Sequence, residues 1–303
     1  MTAIPFVKDF EFEYGRCDTL SPLIRRVIAP NPGPFTYTGT GVYIIGHGRV
    51  AVIDPGPVDP AHIEAIDAAL EGETVTHVFV THHHLDHSPL AHPLARKHGA
   101  KVYGYGPQIT PPAGGEVRLE AGDDVGFQPD IQVGDEEIFH GEGWTIEALH
   151  TPGHTSNHVC YALKDENTLF CGDHVMGWST SVISPPDGHM GSYLEQLQRV
   201  RDRQFDILWP THGPAITEPD RFIRAYILHR EKREMQILEQ IAAGRTEVRD
   251  MVEAMYADVD KRLHPAAAHS VLAHLIHLVE TGRVACDSVE PGLADSYRLP
   301  EPV

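Results

Sequence analysis

Residues 81–87 read THHHLDH and close an apolar, β-branched run, THVFVTH, that starts at Thr76. Side chains two apart in an extended segment project to the same side, so His82 and His84 can hold one cation between them, while His83 points away. Asp86 and His87 follow where the chain turns toward a helix, which re-aims them at a second position. Imidazole and carboxylate are the ligands zinc prefers, and manganese or iron accept the same set in related geometries. A solvated turn would also account for four polar residues in one loop. Repetition at three other strand ends argues against it: TPGHTSNH brings His154, CGD brings Asp173 and PTHG brings His212, each just after a strand-like run. Loops that converge on one edge of a sheet sandwich need strands ending this way. The chain also holds 21 histidines, more than packing requires, which directs attention to metals.

These residues need a scaffold that brings distant strand ends together. Residues 41–46 (GVYIIG) and 50–56 (VAVIDPG) read as paired strands closed by Gly and Pro. Residues 60–70 (PAHIEAIDAAL) have helical spacing, and Ser88-Pro89 is expected to cap and open a helix running to Lys97. Residues 106–115 contain PPAGG and read as a loop. Further strands are expected at 144–150, 159–163, 168–173 and 206–212. Strands alternating with helices imply an α/β layered domain. The character changes near Glu218: a long helix over 219–243, a short one capped by Thr246-Glu247, a third over 265–281, and a ribbon around a Pro-Gly turn. That order is the pattern of a winged-helix module.

HHHLDH matches the H-x-H-x-D-H signature of the metallo-β-lactamase superfamily, and Asp54 in VIDPG, His154, Asp173 and His212 follow in that family's order. The resemblance covers most of residues 20–215 and implies an α/β chain with an αββα sandwich. Carried over by position, it implies that His82, His84 and His154 hold a first metal, and that Asp86, His87 and His212 hold a second. Asp173 would bridge the two ions, and Asp54 would support the ligand loops from behind. The tail, from HREKREMQILEQI onward, resembles the C-terminal winged helix of the β-lactamase-like protein two group. The division expected is 1–218 for the catalytic domain and 219–303 for a linker helix with the winged helix. The implied chemistry is hydrolysis by a hydroxide bridging two divalent ions, zinc in the first place with manganese or iron as alternatives, and with Asp86 orienting the hydroxide and taking its proton.

Other residues near the motif carry weaker signals. His158 is expected to buttress the site or to be a satisfied histidine, and His174, which follows Asp173, to face substrate or the core with equal weight. Cys171 shares a strand face with Asp173 and reads as a core filler. Residues 178–186 (WSTSVISPP) lie between two ligand positions and are expected to line the pocket. His264, His269, His274 and His277 sit on or beside the third tail helix, with no carboxylate partner evident, and read as surface or interhelical packing.

Charge narrows the substrate. The net charge is −19, of which residues 1–219 carry −16 and the remainder −3. Acidic proteins do not attract polyanions at long range, so general nucleic-acid affinity is disfavoured. No stretch approaches the ~20 apolar residues of a membrane span, and residues 1–15 lack the pattern of a signal peptide. Four scattered cysteines offer neither a disulfide framework nor a thiolate zinc site, so a cytoplasmic location is expected. With Asp at position 173, the chain departs from the secreted antibiotic-degrading enzymes that place Cys there. The favoured reading is therefore an ester, thioester or lactone hydrolase acting on a small molecule. Cleavage of single-stranded RNA is the alternative, and a basic or aromatic channel beside the metals would favour it. A promiscuous β-lactamase and a non-catalytic DNA-binding regulator rank lower, the latter because the third tail helix carries almost no Arg or Lys. A homodimer through the tail is left open.

Overall fold

The computed structural model describes residues 3–107 and 122–301 of the chain. Elements β1 (Cys17–Thr19), β2 (Ile24–Ile28), β3 (Gly41–Ile45), β4 (Arg49–Ile53), α1 (Pro60–Ala69), β5 (Thr74–Phe79), α2 (Ala91–His98), β6 (Lys101–Gly104) and β7 (Ile131–Gln132) build the first half. Their strands form a seven-stranded sheet in sequence order, antiparallel up to β4 and parallel from β4 to β7. The second half contains β8 (Ile138–His140), β9 (Thr145–His150), β10 (Val159–Leu163), β11 (Thr168–Gly172), α3 (Met190–Asp202) and β12 (Ile207–Pro210). It forms a five-stranded sheet ordered β12-β11-β10-β9-β8, with only β11 and β12 parallel.

Most of these strands are buried on both faces, which explains why they read as continuous apolar runs rather than as alternating ones. The period of two still sorts the side chains. Tyr43, Ile45, Ala51, Ile53 and Phe79 of the first sheet meet Ile146, Ala148, Tyr161 and Phe170 of the second in a central core. Their neighbours Val42, Ile44, Val50 and Val52 face the other way, against Ile66 of α1 and Leu94 of α2. Cys160, Leu169 and Cys171 likewise face Tyr193 and Leu197 of α3. The result is an αββα sandwich. Two buried tyrosines tie the sheets: Tyr43 Oη donates to the Pro210 carbonyl at 2.6 Å and Tyr161 Oη to that of Val80 at 2.9 Å.

The tail consists of α4 (Pro219–Ala242), α5 (Val248–Met255), α6 (His264–Glu280) and a small ribbon of β13 (Ala285–Cys286) and β14 (Tyr297–Arg298). The first turns of α4 bury Phe222, Ile223 and Tyr226 in the core shared with α3. Its last turns bury Ile237 and Ile241 in a separate core with Met251, Val271, Leu275 and Tyr297. One helix thus belongs to both halves. Among the described residues, no helix is long and apolar enough to cross a membrane.

Two expected caps do not form. The helix after the histidine motif begins at Ala91, because the Ser88 hydroxyl donates instead to Asp124 at 2.8 Å. Thr246-Glu247 provides no side-chain cap to α5: its backbone pairs with the ribbon, where the Tyr297 N–H donates to the Thr246 carbonyl. Of the loop expected over 106–115, the part from 108 onward lies outside the described residues.

Candidate metal centre

The strands β4, β5, β9, β11 and β12 deliver their C-terminal ends to one edge of the sandwich, where the two sheets meet. The Gly41 N–H donates to the Thr211 carbonyl across that seam at 2.7 Å. There the structure brings together all seven side chains expected from the sequence. Ligand atoms of His82, His84 and His154 lie within 4.8 Å of one another, and so do those of Asp86, His87 and His212. Asp173 joins the groups: its Oδ1 is 3.4 Å from His212 Nε2 and 3.7 Å from His87 Nε2, and its Oδ2 is 3.8 Å from His154 Nε2. His82 Nε2 and His84 Nδ1 are 2.9 Å apart.

The chemistry of this donor set fits divalent cations. Asp86 Oδ1, Asp173 Oδ1 and His87 Nε2 are buried without a hydrogen-bond partner, a cost that a bound ion would remove. Burial alone would depress the His87 pKa, yet Asp86, Asp54 and Asp173 outweigh it and hold it up to about 10. Burial would raise Asp86, but His87, His212 and His84 hold it well below the ordinary carboxylate range. The carboxylates Asp54, Asp86 and Asp173 thus concentrate negative charge in the cluster, which a cation would compensate by taking the place of the proton they hold on His87. His82, crowded by four other imidazoles, is instead driven well down by burial and by those neighbours, and stays neutral.

Three of the five rings are aimed from behind. His87 Nδ1 donates to Asp54 Oδ2 at 2.8 Å, His154 Nδ1 to the Val182 carbonyl at 2.7 Å and His212 Nδ1 to the Gly39 carbonyl at 3.1 Å. With the proton on Nδ1, the Nε2 lone pair is turned inward. Asp54 is the hub of this support. It is fully buried at φ +47°, a left-handed backbone that Asp tolerates. Its carboxylate also accepts from the Thr81 N–H at 2.7 Å, the Thr81 hydroxyl at 2.7 Å and the Thr211 hydroxyl at 2.9 Å. One carboxylate therefore pins the ends of β4, β5 and β12.

The remaining expectations divide. His83 turns away from the cluster to Asn157 and Asp123, because it alternates with His82 and His84 in the extended chain. His158 buttresses: its Nε2 accepts the Asp173 N–H at 3.3 Å while Nδ1 meets the Thr151 hydroxyl at 2.8 Å. Gly172 makes that approach possible, since at φ +52° a Cβ there would lie 2.6 Å from His158 Nε2. His174 does not face the cavity. Asp173 and His174 project oppositely, so the His174 ring packs on Tyr193 at 5.1 Å, and burial pushes its pKa down to about 3. Two of the four tail histidines have a carboxylate neighbour, Glu234 of α4, which accepts from His277 Nδ1 at 2.7 Å and lies 3.7 Å from His274 Nδ1. Sequence reasoning also missed Asp123, whose Oδ1 stands 3.5 Å from His84 Nε2. It lies far beyond the motif and carries no local signal.

Above the cluster is a cavity of about 40 Å³ with His84, Asp86, His154 and Asp173 at its base and Pro34, Phe35, Met176, Trp178 and Val182 in its walls. The 178–186 segment therefore supplies part of the wall, as its position implied. Trp178 stacks on Tyr37 with 4.8 Å between ring centroids, so one ring face is already covered.

The sandwich, the strand-end cluster and the H-x-H-x-D-H loop define a class of metal-dependent hydrolases, and the chain belongs to the metallo-beta-lactamase superfamily, whose family model matches residues 37–212. A beta-lactamase associated winged helix domain matches residues 248–289. The chain is 32% identical to a beta-lactamase-like protein 2 homolog of Drosophila melanogaster, over 88% of this chain and 90% of that one. It is 30% identical to a protein of Aspergillus novofumigatus named atrochrysone carboxyl ACP thioesterase, over 89% and 83% of the two chains. A solved beta-lactamase domain protein from Burkholderia ambifaria shares the fold, with a TM-score of 0.77 at 19% identity over 96% of each chain.

Proposed function

We propose that this hydrolase cleaves an ester, thioester or lactone bond of a small-molecule acyl substrate at a centre of two divalent ions, zinc in the first place. The observation that carries the reading is the cavity over the His/Asp cluster: its walls are largely apolar, and among the described residues that line it there is no Lys or Arg. A polynucleotide needs a run of basic contacts along its backbone, and stacking platforms with open ring faces. The relative named as an acyl-carrier-protein thioesterase supports acyl chemistry.

In this reading His82, His84 and His154 would hold one ion and Asp86, His87 and His212 the other, with Asp173 standing between the two groups. Ions held there supply Lewis acidity, making water nucleophilic at neutral pH and polarising the attacked carbonyl. The chain's own part is positioning. Asp54 and the Val182 and Gly39 carbonyls fix the imidazole tautomers, His158 steadies the main chain of Asp173, and Phe35, Met176 and Trp178 exclude bulk water from the acyl group. Asp86, buried at the cavity base, would hold its ion through one carboxylate oxygen and use the other to orient the attacking water and take its proton. Residues 1–218 act as the catalytic part, with 219–303 as the linker helix and winged helix. The four cysteines are unpaired, which fits a reducing compartment, and we place the protein in the cytoplasm.

The test is a parallel assay of metal-analysed protein on a thioester, a lactone, bis-p-nitrophenyl phosphate, single-stranded RNA and a cephalosporin, with Asp86→Ala as control. Acyl turnover that disappears in the variant, without RNA cleavage, supports the reading. Turnover of RNA and the phosphodiester, lost in the variant, overturns it in favour of a nuclease.

A further inference from the structure

Beside the catalytic cavity lies a second one, of about 140 Å³, between residues 180–184 and the tail helix α6. Phe35, Thr180 and Val182 line both, so the two spaces adjoin. The far side of the second cavity is built by Arg230 of α4 and by Ala266, His269 and Ser270 of α6. Here the winged-helix part of the chain reaches the surroundings of the catalytic centre.

Arg230 is the unexplained group. It is only 4% exposed, yet among the described residues it forms no ion pair with any carboxylate. Its Nη2 donates to the Ser181 carbonyl at 2.6 Å, its guanidinium lies 5.3 Å from the Tyr193 ring centroid, and its buried Nε has no hydrogen-bond partner. Glu234, one helical turn on, is engaged by His277 and Arg283. A buried cation without a counter-charge costs several kcal/mol, so proteins rarely keep one without a use for it. Hydroxyl and imidazole groups surround the space: Ser184, Ser270 and His269, whose Nδ1 is 3.5 Å from Ser184 Oγ.

We infer that the second cavity is an anion subsite, in which Arg230 binds a carboxylate or phosphate group of the acyl substrate whose scissile bond lies over the His/Asp cluster. This rests on the acyl-hydrolase reading and narrows it to anionic substrates. It also gives the winged-helix part a role in recognition, since His269 and Ser270 complete the subsite. The fork of guanidinium donors suits planar, bidentate capture of either anion.

The test is calorimetric titration of the metal-loaded protein with α,ω-dicarboxylates from succinate to suberate, each beside the monocarboxylate of equal length. ω-Phosphonoalkanoates form a second arm that separates phosphate from carboxylate recognition. At one chain length the dianion binds about 10-fold or more tighter than the monoanion, the worth of a hydrogen-bonded charge. Arg230→Met abolishes that gain, so that the dianion binds no tighter than the monoanion of equal length. Ser270→Leu, which fills the cavity but keeps Arg230, abolishes it too, and decides the matter should the arginine variant fail to fold. No gain at any length, or a gain untouched by both substitutions, overturns the inference. An Arg230-dependent gain in a protein that hydrolyses no acyl compound sinks the hydrolase reading and leaves the anion subsite standing. Acyl hydrolysis without any gain does the reverse.

Discussion

Replacing Asp54 by Asn changes one atom at the hub of the site and leaves its shape intact. Asn tolerates the same left-handed backbone, so the φ of +47° adds no new strain. The amide oxygen can take the place of Oδ1 and keep the bond from the Thr81 N–H. The amide NH2 then replaces Oδ2 and faces three former donors. The Thr81 and Thr211 hydroxyls can rotate and accept. His87 Nδ1–H cannot, except by shifting its proton to Nε2, the atom turned toward the cluster. One charge-assisted bond between fully buried partners is lost, worth about 1.5–3 kcal/mol. Supporting carboxylates of this kind change metal affinity by about 10–100-fold, or about 1.4–2.7 kcal/mol. The assay is ion retention after dialysis against graded chelator, read as metal per chain. If two ions bind as proposed, the one at Asp86, His87 and His212 should leave first in Asp54→Asn, while the one at His82, His84 and His154 stays. Retention of both ions as in the parent, or their equal loss, would refute the argument that Asp54 acts through His87.

Three further outcomes follow from the packing. Gly172→Ala, which places a Cβ 2.6 Å from His158 Nε2 at φ +52°, should cost at least the strain of a non-glycine there, about 1–3 kcal/mol; an unchanged urea midpoint would refute both the strain and the clash. Tyr226→Phe removes the hydroxyl that accepts the Met176 N–H at 3.2 Å and donates to its carbonyl at 2.6 Å. It should destabilise the chain by about 1–3 kcal/mol, and thermal unfolding of the two proteins checks this. Burial would raise the pKa of Glu234, but His274 and His277 beside it hold it well below its ordinary 4.5. A carboxyl depressed on folding stabilises the native state above its unfolded value, and that contribution fades as pH falls through the folded one. Stability measured from pH 6 to 3 should therefore decline more steeply in the parent than in Glu234→Gln, and parallel curves would count against the pairing.

The histidine and aspartate cluster was legible in the sequence because each member stands at a strand end, beside an apolar run that announces the strand. The alternation of His82, His83 and His84 even fixed which ring turns away, since an extended chain has only two sides. The layered fold followed from strands too apolar to face water, and the tail from its order of helices and ribbon. Other features were decided only when the chain closed on itself. Asp123 reaches His84, and Glu234 gathers His277 and Arg283, across separations at which no local pattern survives. Ser88 looked like a cap because Ser-Pro before a helical run favours one, but Asp124 competes for the same hydroxyl. His174 stood next to a ligand position and yet packs on α3, since neighbouring side chains diverge. In the sequence Arg230 is one of many charges along the helix that begins at Pro219. Only the packing of α4 and α6 against residues 180–184 removed it from water and left it facing a cavity beside the catalytic centre. Periodicity reports which face of an element is apolar, whereas the partner of a buried charge depends on which elements meet.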